Sequence, residues 1–190
     1  RSMAQNNRYL YYFDESTGEF IRSSPNGQAP VSKEYLMQNW FEKKAKQLRE
    51  YVGDKDVVTS FDNDYEEVLV SFRIGDEIET IVFSEKEGFK GWMEYRTYYN
   101  NTDVPELFAS FKDTLVSWMN GQLWLHNVGV NNTFYGKLHA CSLKAVVNEN
   151  VSYTKRYSSI RLSSDKNLWE IEFTIPDGEN YVDQKTILRP

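Results

Sequence analysis

Residues that build reactive centres are scarce in this chain. Its 190 residues include one cysteine, Cys141, and two histidines, His126 and His139. A single cysteine excludes an intrachain disulfide, and with it the disulfide-scaffolded class of secreted domains. No apolar run approaches the roughly 20 residues of a membrane-spanning helix, and none has the form of a signal-peptide core. A glycine-rich phosphate cradle, a nucleophile elbow and a Cys-x-x-Cys pair are also missing. Positive charge is short as well. Twenty-two Lys and Arg stand against 28 Asp and Glu, a net charge of −6, which argues against specific nucleic-acid recognition. Lys43, Lys44, Lys46 and Arg49 cluster, but they alternate with Glu42 and Glu50 and are read as a solvated helix face. The opening Arg1-Ser-Met3 reads as an expression scar or the cut end of a longer polypeptide.

The few candidates for chemistry have simpler explanations. Cys141 begins an apolar run and is expected to be a small buried side chain without the electropositive setting a nucleophile needs. His139 could share a sheet face with it, but two ligands from one strand do not complete a zinc site. His126 is expected to be a polar residue at a strand end. Asp62-Asn-Asp64 with Glu66 and Glu67 faintly resembles a calcium loop; it lacks the glycine and distal glutamate of an EF-hand and reads as a turn. Acid pairs are plentiful, but spacing alone cannot make two carboxylates converge on a bond. No catalytic residue, metal or cofactor is therefore expected, and the chain is read as non-enzymatic. The sequons at Asn100, Asn131 and Asn150 are read as turn chemistry.

Aromatics are what the chain has in surplus: 13 Tyr, 11 Phe and 5 Trp. Flat, stiff rings favour pleated, half-buried surfaces. Residues 8–13 and 19–22 flank Asp14-Glu-Ser-Thr-Gly18 as a predicted hairpin, after which Ser24-Pro-Asn-Gly27 and Pro30 break regular structure. One amphipathic helix is expected near 33–52, capped by Ser32. Its stripe is Met37, Phe41, Ala45, Leu48 and Val52, widened by Trp40, with lysines opposite. Strands follow at 57–61, 67–73 and 78–83 as a meander, then at 92–98. In that last strand Trp92, Glu94, Arg96 and Tyr98 should share one face. Residues 105–112 read as a helical turn or connector. Further strands are expected at 140–147, 158–162 and 168–175, with regular structure ending at Pro176-Asp-Gly178. The fold class is mainly β: antiparallel meanders forming a propeller segment or a β-sandwich, with the one helix. The expected organisation is an N-terminal hairpin plus helix over 1–56, a β module over 57–176 and a peripheral tail over 177–190, read as one compact unit or as a fragment of a longer protein.

The sharpest local signal lies at 115–127. Asn120-Gly121 supplies the two positive-φ positions of a type I′ turn, which pairs Met119 with Gln122 and Trp118 with Leu123. Cross-strand contacts of this kind contribute roughly 0.2–1 kcal/mol each.

An ordered set of short motifs runs from about 57 to 165. Phe61-Asp62, Glu67-Val-Leu-Val-Ser-Phe72, Thr80-Ile-Val-Phe-Ser-Glu85, Lys90-Gly-Trp92 and Tyr95 come first. Asn120-Gly-Gln-Leu-Trp-Leu-His126, Thr133-Phe-Tyr-Gly136, Val146-Val-Asn148 and Lys155-Arg-Tyr-Ser-Ser-Ile160 follow. This order resembles the tail nozzle or muzzle proteins of crAss-like and other short-tailed bacteriophages. The resemblance marks Trp92, Asn120, Gly121, Trp124, His126, Phe134, Tyr135, Gly136 and Asn148 as a structural signature. It implies a virion protein of the tail, made in the bacterial host cytoplasm. It also implies a homo-oligomer that packs against other virion proteins and helps form the conduit for genome ejection. Such proteins are usually longer, which would make this chain a fragment or a small relative. An acidic wall suits a conduit, because it repels DNA phosphates. The alternative is a β-rich module that binds carbohydrate or a host or partner protein through aromatic surfaces.

Overall fold

Val68-Leu-Val-Ser-Phe72 and Ile81-Val-Phe83 are continuous apolar runs rather than alternating ones, and a strand of that kind is stable only when both faces of its sheet are covered. The computed structural model describes residues 3–99, 103–143, 169–177 and 180–188, in two compact units, 1–143 and 144–190. In the first unit those runs form the middle of three antiparallel sheets, the stacked arrangement of a sandwich. One outer sheet is β1 (Met3–Gln5), β2 (Leu10–Asp14), β3 (Glu19–Ser24) and β4 (Gly27–Pro30), followed by the helices α1 (Val31–Glu34) and α2 (Gln38–Glu50). The central sheet is the meander β5 (Lys55–Asp62), β6 (Glu67–Ile74), β7 (Glu77–Ser84) and β8 (Gly91–Arg96). The third sheet comprises β9 (Leu107–Phe111), β10 (Thr114–Met119) and β11 (Gln122–Leu125), with a small ribbon of β12 (Thr133–Phe134) and β13 (Lys137–Leu138) after it. No closed barrel or propeller blade set is formed by the described residues.

Two cores result, one on each face of the central sheet. The first joins Tyr11, Phe13 and Phe20 of the N-terminal sheet, Phe41, Ala45 and Leu48 of α2, and Val68, Val70, Phe72, Ile81 and Phe83 of the central sheet. The second joins Val58, Leu69 and Val82 from the opposite face to Tyr98, Phe108, Leu115, Met119 and Tyr135. Between the strands, Ser71 and Thr80 share a buried hydrogen bond of 2.8 Å, so each of these two hydroxyls satisfies the other.

The predicted N-terminal hairpin is present, with Phe13 opposite Phe20. Gly18 ends its loop at φ +70°, and a Cβ there would meet the Glu42 Cα of α2 at 3.0 Å. Close approach and left-handed backbone both demand glycine. Gly18→Ala is expected to cost about 1–3 kcal/mol, read from the urea midpoint at unchanged m-value; a neutral result would mean the hairpin does not lie this close to α2.

Several expectations are corrected. Ser24–Gly27 is a turn rather than a break, because β4 returns beside β3, pairing Ser24 with Gly27 and Ile21 with Pro30. Proline is tolerated there because β4 is an edge. The helix is two helices. Ser32 does not cap it: its Oγ accepts the Phe20 N–H at 3.1 Å, which pins α1 to β3. The chain reverses at Leu36, φ +60°, and Met37 then precedes α2 with no side-chain cap. A continuous helix would rotate Val31 roughly 80° off the Phe41 line at about 100° per residue, and the break lets both residues enter one core. Val52 lies beyond α2 and is exposed, whereas Lys44, assigned to the solvated face, is buried.

In β8 the predicted alternation fails at a bulge. Phe83 pairs with Trp92 but Val82 pairs with Glu94, so Met93 is the extra residue. Trp92 therefore joins the first core, while Glu94 and Arg96 lie on the other face. Residues 107–111, read as a connector, are strand β9. Within the predicted strand 140–147, Ala140–Leu143 has no regular structure, and the remainder lies outside the described residues, as does 158–162. In the second unit β14 (Trp169–Asp177) pairs with β15 (Asn180–Leu188), from Trp169 opposite Leu188 to Asp177 opposite Asn180. Regular structure thus continues past Gly178 where the sequence reading had ended it, since Tyr181-Val182 and Thr186-Ile-Leu188 are strand-forming residues.

Candidate functional site

The Asn120-Gly121 turn has the expected conformation, φ +53° and +72°, and the expected pairs, Met119 with Gln122 and Trp118 with Leu123. Because that register is fixed, Ser117 stands opposite Trp124, and His126, two residues on and on the same side, is directed into the second core. The His126 N–H donates to the Leu115 carbonyl at 2.9 Å, which extends the ladder past β11. Its Nε2 lies 2.7 Å from Ser117 Oγ, and that oxygen lies 3.0 Å from the Tyr135 hydroxyl. Tyr135 donating to Ser117, and Ser117 to Nε2, satisfies all three groups. Tyr135 itself occupies the first position of a two-residue turn between β12 and β13 at φ +52°, with Gly136 at +76°. A tyrosine in that region is strained, and the strain is held by a ring buried against Trp124 and His126.

The structure therefore brings Trp124, His126, Phe134, Tyr135 and Gly136 into one node. Trp124 contacts Tyr135, Phe134 and His126 pack edge-on against Tyr98, and a Cβ on Gly136 would touch the Trp124 ring at 3.9 Å. Trp92 is not part of it; that ring packs 4.9 Å from Phe41 and 5.0 Å from Phe83 in the first core. Asn120 ties the hairpin to Asp103 at 2.8 Å. Asn148 lies outside the described residues. Sequence reasoning missed Ser117 and Tyr98. Ser117 was discoverable, as the cross-strand neighbour of Trp124 once the turn register was assigned.

A serine hydroxyl on a histidine nitrogen has the form of a nucleophile and its base. Here Ser117 is 1 % exposed and His126 7 %, so no substrate atom reaches them. Burial pulls the His126 pKa down to about 4, and burial likewise pushes the Tyr135 phenol up. The node is a neutral clamp between β10, β11 and the β12–β13 ribbon. His126, expected as a polar strand-end residue, is a core residue instead.

Other polar groups are committed in the same way. Glu85, at the end of β7, accepts from Tyr11 at 2.9 Å, pairs with Arg22 at 3.0 Å and with Lys90, and so fastens β2 and β3 to the central sheet. Arg22 also lies 4.9 Å over the Tyr9 ring. Lys44 of α2 reaches Glu77 at 2.8 Å and Glu79 of β7; burial works against its charge, and the two carboxylates outweigh that and hold its pKa above the usual range. Arg96 pairs with Glu67 at 2.8 Å. Burial lifts the Glu67 carboxyl above its usual range against that pull. In the suspected calcium loop, Asp62 is buried and both of its oxygens are used, one by the Asp64 N–H at 3.0 Å and one by Asn127 at 2.8 Å. Among the described residues no three His, Cys, Asp or Glu side chains gather as a metal site. Cys141, expected to be buried, is exposed, and His139 packs near Tyr99 and Phe134 rather than on a shared strand. No helix among the described residues is long and apolar enough to cross a membrane.

The arrangement fastens sheet to sheet and leaves no reactive group facing solvent at the node. Comparison with known proteins agrees with that character. A family model described as Crassvirus muzzle protein matches residues 1–120, which takes in the whole first core, the central sheet, β9 and β10. No curated protein matches the chain. The match covers more than half of the chain, and the chain belongs to the Crassvirus muzzle protein family. Its general role is accordingly that of a structural virion protein, associated with other virion proteins.

Proposed function

We propose that this member of the Crassvirus muzzle family is a tail component, assembles with further copies of itself, and contributes to the wall of the conduit through which the genome leaves. The observation that carries this reading is the use made of the buried polar groups. Glu85, Lys44 and the Ser117–His126–Tyr135 clamp each join one sheet or helix to another, as a load-resisting wall element needs and an enzyme cleft does not. The net charge of −6 favours a wall that DNA slides past, because like charge keeps phosphates from adhering. Synthesis in the host cytoplasm before particle assembly belongs to the same reading.

The aromatic surplus supports this reading rather than the carbohydrate-binding alternative. Tyr11, Phe13, Phe20, Phe41, Phe61, Phe72, Phe83, Tyr98, Phe108 and Tyr135 are core residues, and Tyr9, Tyr35, Trp40, Trp92, Trp124 and Phe134 pack against them, so most of the rings among the described residues fill the layers. Cryo-electron microscopy of virions labelled with an antibody to this chain should place the label at the tail. Label confined to capsid faces would overturn the tail assignment while leaving a virion role intact.

A further inference from the structure

Among the described residues, no backbone hydrogen bond ties the β12–β13 ribbon to the rest of its unit. β12 and β13 pair only with each other, and the Thr133 and His139 N–H groups donate locally, to the Val130 and Asn132 carbonyls. Side chains alone hold it. Phe134 lies 4.9 Å from Tyr98 and His139 6.2 Å from Tyr99, while Tyr135 closes on Trp124, His126 and Ser117. A two-stranded ribbon with so few ties is marginal by itself. Tyr135 adds backbone strain at φ +52°, which opening relieves. Asn127 is fixed to Asp62, and the exposed stretch 128–132 beyond it is left as a hinge.

The geometry points to an acid-released latch: protonation of His126 swings the β12–β13 ribbon off the second core while the rest of the unit stays folded. An imidazolium in the closed node meets no carboxylate. The groups facing the ring are Tyr98, Phe108, Tyr135 and the Ser117 hydroxyl. Arg96, at the Tyr98 hydroxyl, is of like charge and is paired with Glu67. Asp62 spends its oxygens on the Asp64 N–H and Asn127, and His139 packs on Tyr99 and Phe134 instead. A protonated Nε2 can only donate, so the hydrogen bonds through Ser117 and Tyr135 must reverse, in a site where burial holds the ring neutral down to about pH 4. Opening lets water reach the charge. Phe108 and Ser117 lie in the laddered strands β9 and β10, and Tyr98 is locked between Phe108 and Phe134, so the ribbon is the part that yields. Between about pH 6.5 and 4 the open form binds a proton that the closed form refuses, and the opening constant rises about tenfold per unit fall in pH.

The test is amide hydrogen exchange of the full chain from pH 7 to 4, read by mass spectrometry as protection relative to the rates of free peptides. At pH 7 the amides of 133–139 should be about tenfold or more less protected than those of 67–84, which marks an opening short of unfolding. Their protection should then fall about tenfold per unit of pH below about 6.5. His126→Gln should keep the local opening and lose this fall. Tyr135→Phe, which retains the ring and removes one hydrogen bond, should raise the opening about fivefold at every pH with the fall retained. Ribbon amides that exchange in step with the central sheet overturn the latch. So do a wild type whose ribbon protection ignores pH, an equal fall in His126→Gln, and a Tyr135→Phe ribbon that opens no more than the wild type.

Discussion

Phe41→Ala is expected to lower the unfolding free energy by about 3–5 kcal/mol, the cost of removing a buried phenyl ring and leaving a cavity that cannot fully collapse. Phe41 is 0 % exposed and touches every layer of the first core. Its ring lies 5.7 Å from Phe20 of β3, 6.0 Å from Phe13 of β2, 6.1 Å from Phe72 of β6 and 4.9 Å from Trp92 of β8. Those neighbours are themselves rigid rings held from several sides, so they have little freedom to close the gap. Loss here also loosens α2 from the central sheet and weakens the Lys44 pairs with Glu77 and Glu79, which adds to the deletion itself. Urea unfolding followed by tryptophan fluorescence measures the effect, since Trp40 and Trp92 adjoin the site. A change below about 1 kcal/mol would contradict a single core shared by α2 and both sheets.

The second large effect is a loss of stability in mild acid caused by His126. Burial depresses its folded-state pKa to about 4, against about 6.5 in the unfolded chain. Between those values the unfolded chain binds a proton that the folded chain refuses, so stability falls as the pH falls from about 6.5 to 4 and then levels off. The full loss is about 3 kcal/mol, at 1.36 kcal/mol per unit of pKa difference. Acidification also titrates carboxylates, so the histidine contribution is the difference between two proteins that share them. His126→Gln keeps a hydrogen-bonding side chain for Ser117 and carries no titration. It should be less stable than wild type at pH 7, and the gap should narrow steadily toward pH 4. A gap that stays constant from pH 7 to 4 would contradict a neutral, buried histidine at this position.

What the sequence disclosed followed from how local each signal is. The Asn120-Gly121 register was legible because two residues fix it by their own backbone preference. The meander over 57–83 was legible because turn residues punctuate β-branched runs. The helix break was not, because it is made by a bond from the Phe20 N–H to Ser32 across twelve positions, and nothing in 31–38 announces that Ser32 is taken. The bulge at Met93 was equally invisible. It shifts the face of every later residue in β8, and so it moved Glu94 away from Trp92. Lys44 was assigned to solvent because its partners, Glu77 and Glu79, lie on another element.

The same reasoning explains the node. The motif order named Trp124, His126, Phe134, Tyr135 and Gly136 without saying what they do together. Their common partner, Ser117, has a residue type too ordinary to stand out. Tyr98 enters from the chain just past β8, brought there by topology rather than by spacing. The strand β9, read within 105–112 as a helical turn or connector, was missed for a related reason: its pairing with β10 fixes it as a strand, and a run of five residues does not announce that partner.

The central claim is that this chain is a structural part of a virion, and quantitative mass spectrometry of purified particles tests it most directly. Peptides from residues 3–143 should occur at a fixed ratio to the capsid protein, corresponding to several copies per particle and unchanged by washing at high salt. Their absence from particles, or a ratio that drifts between preparations and falls below one copy per particle, would contradict it.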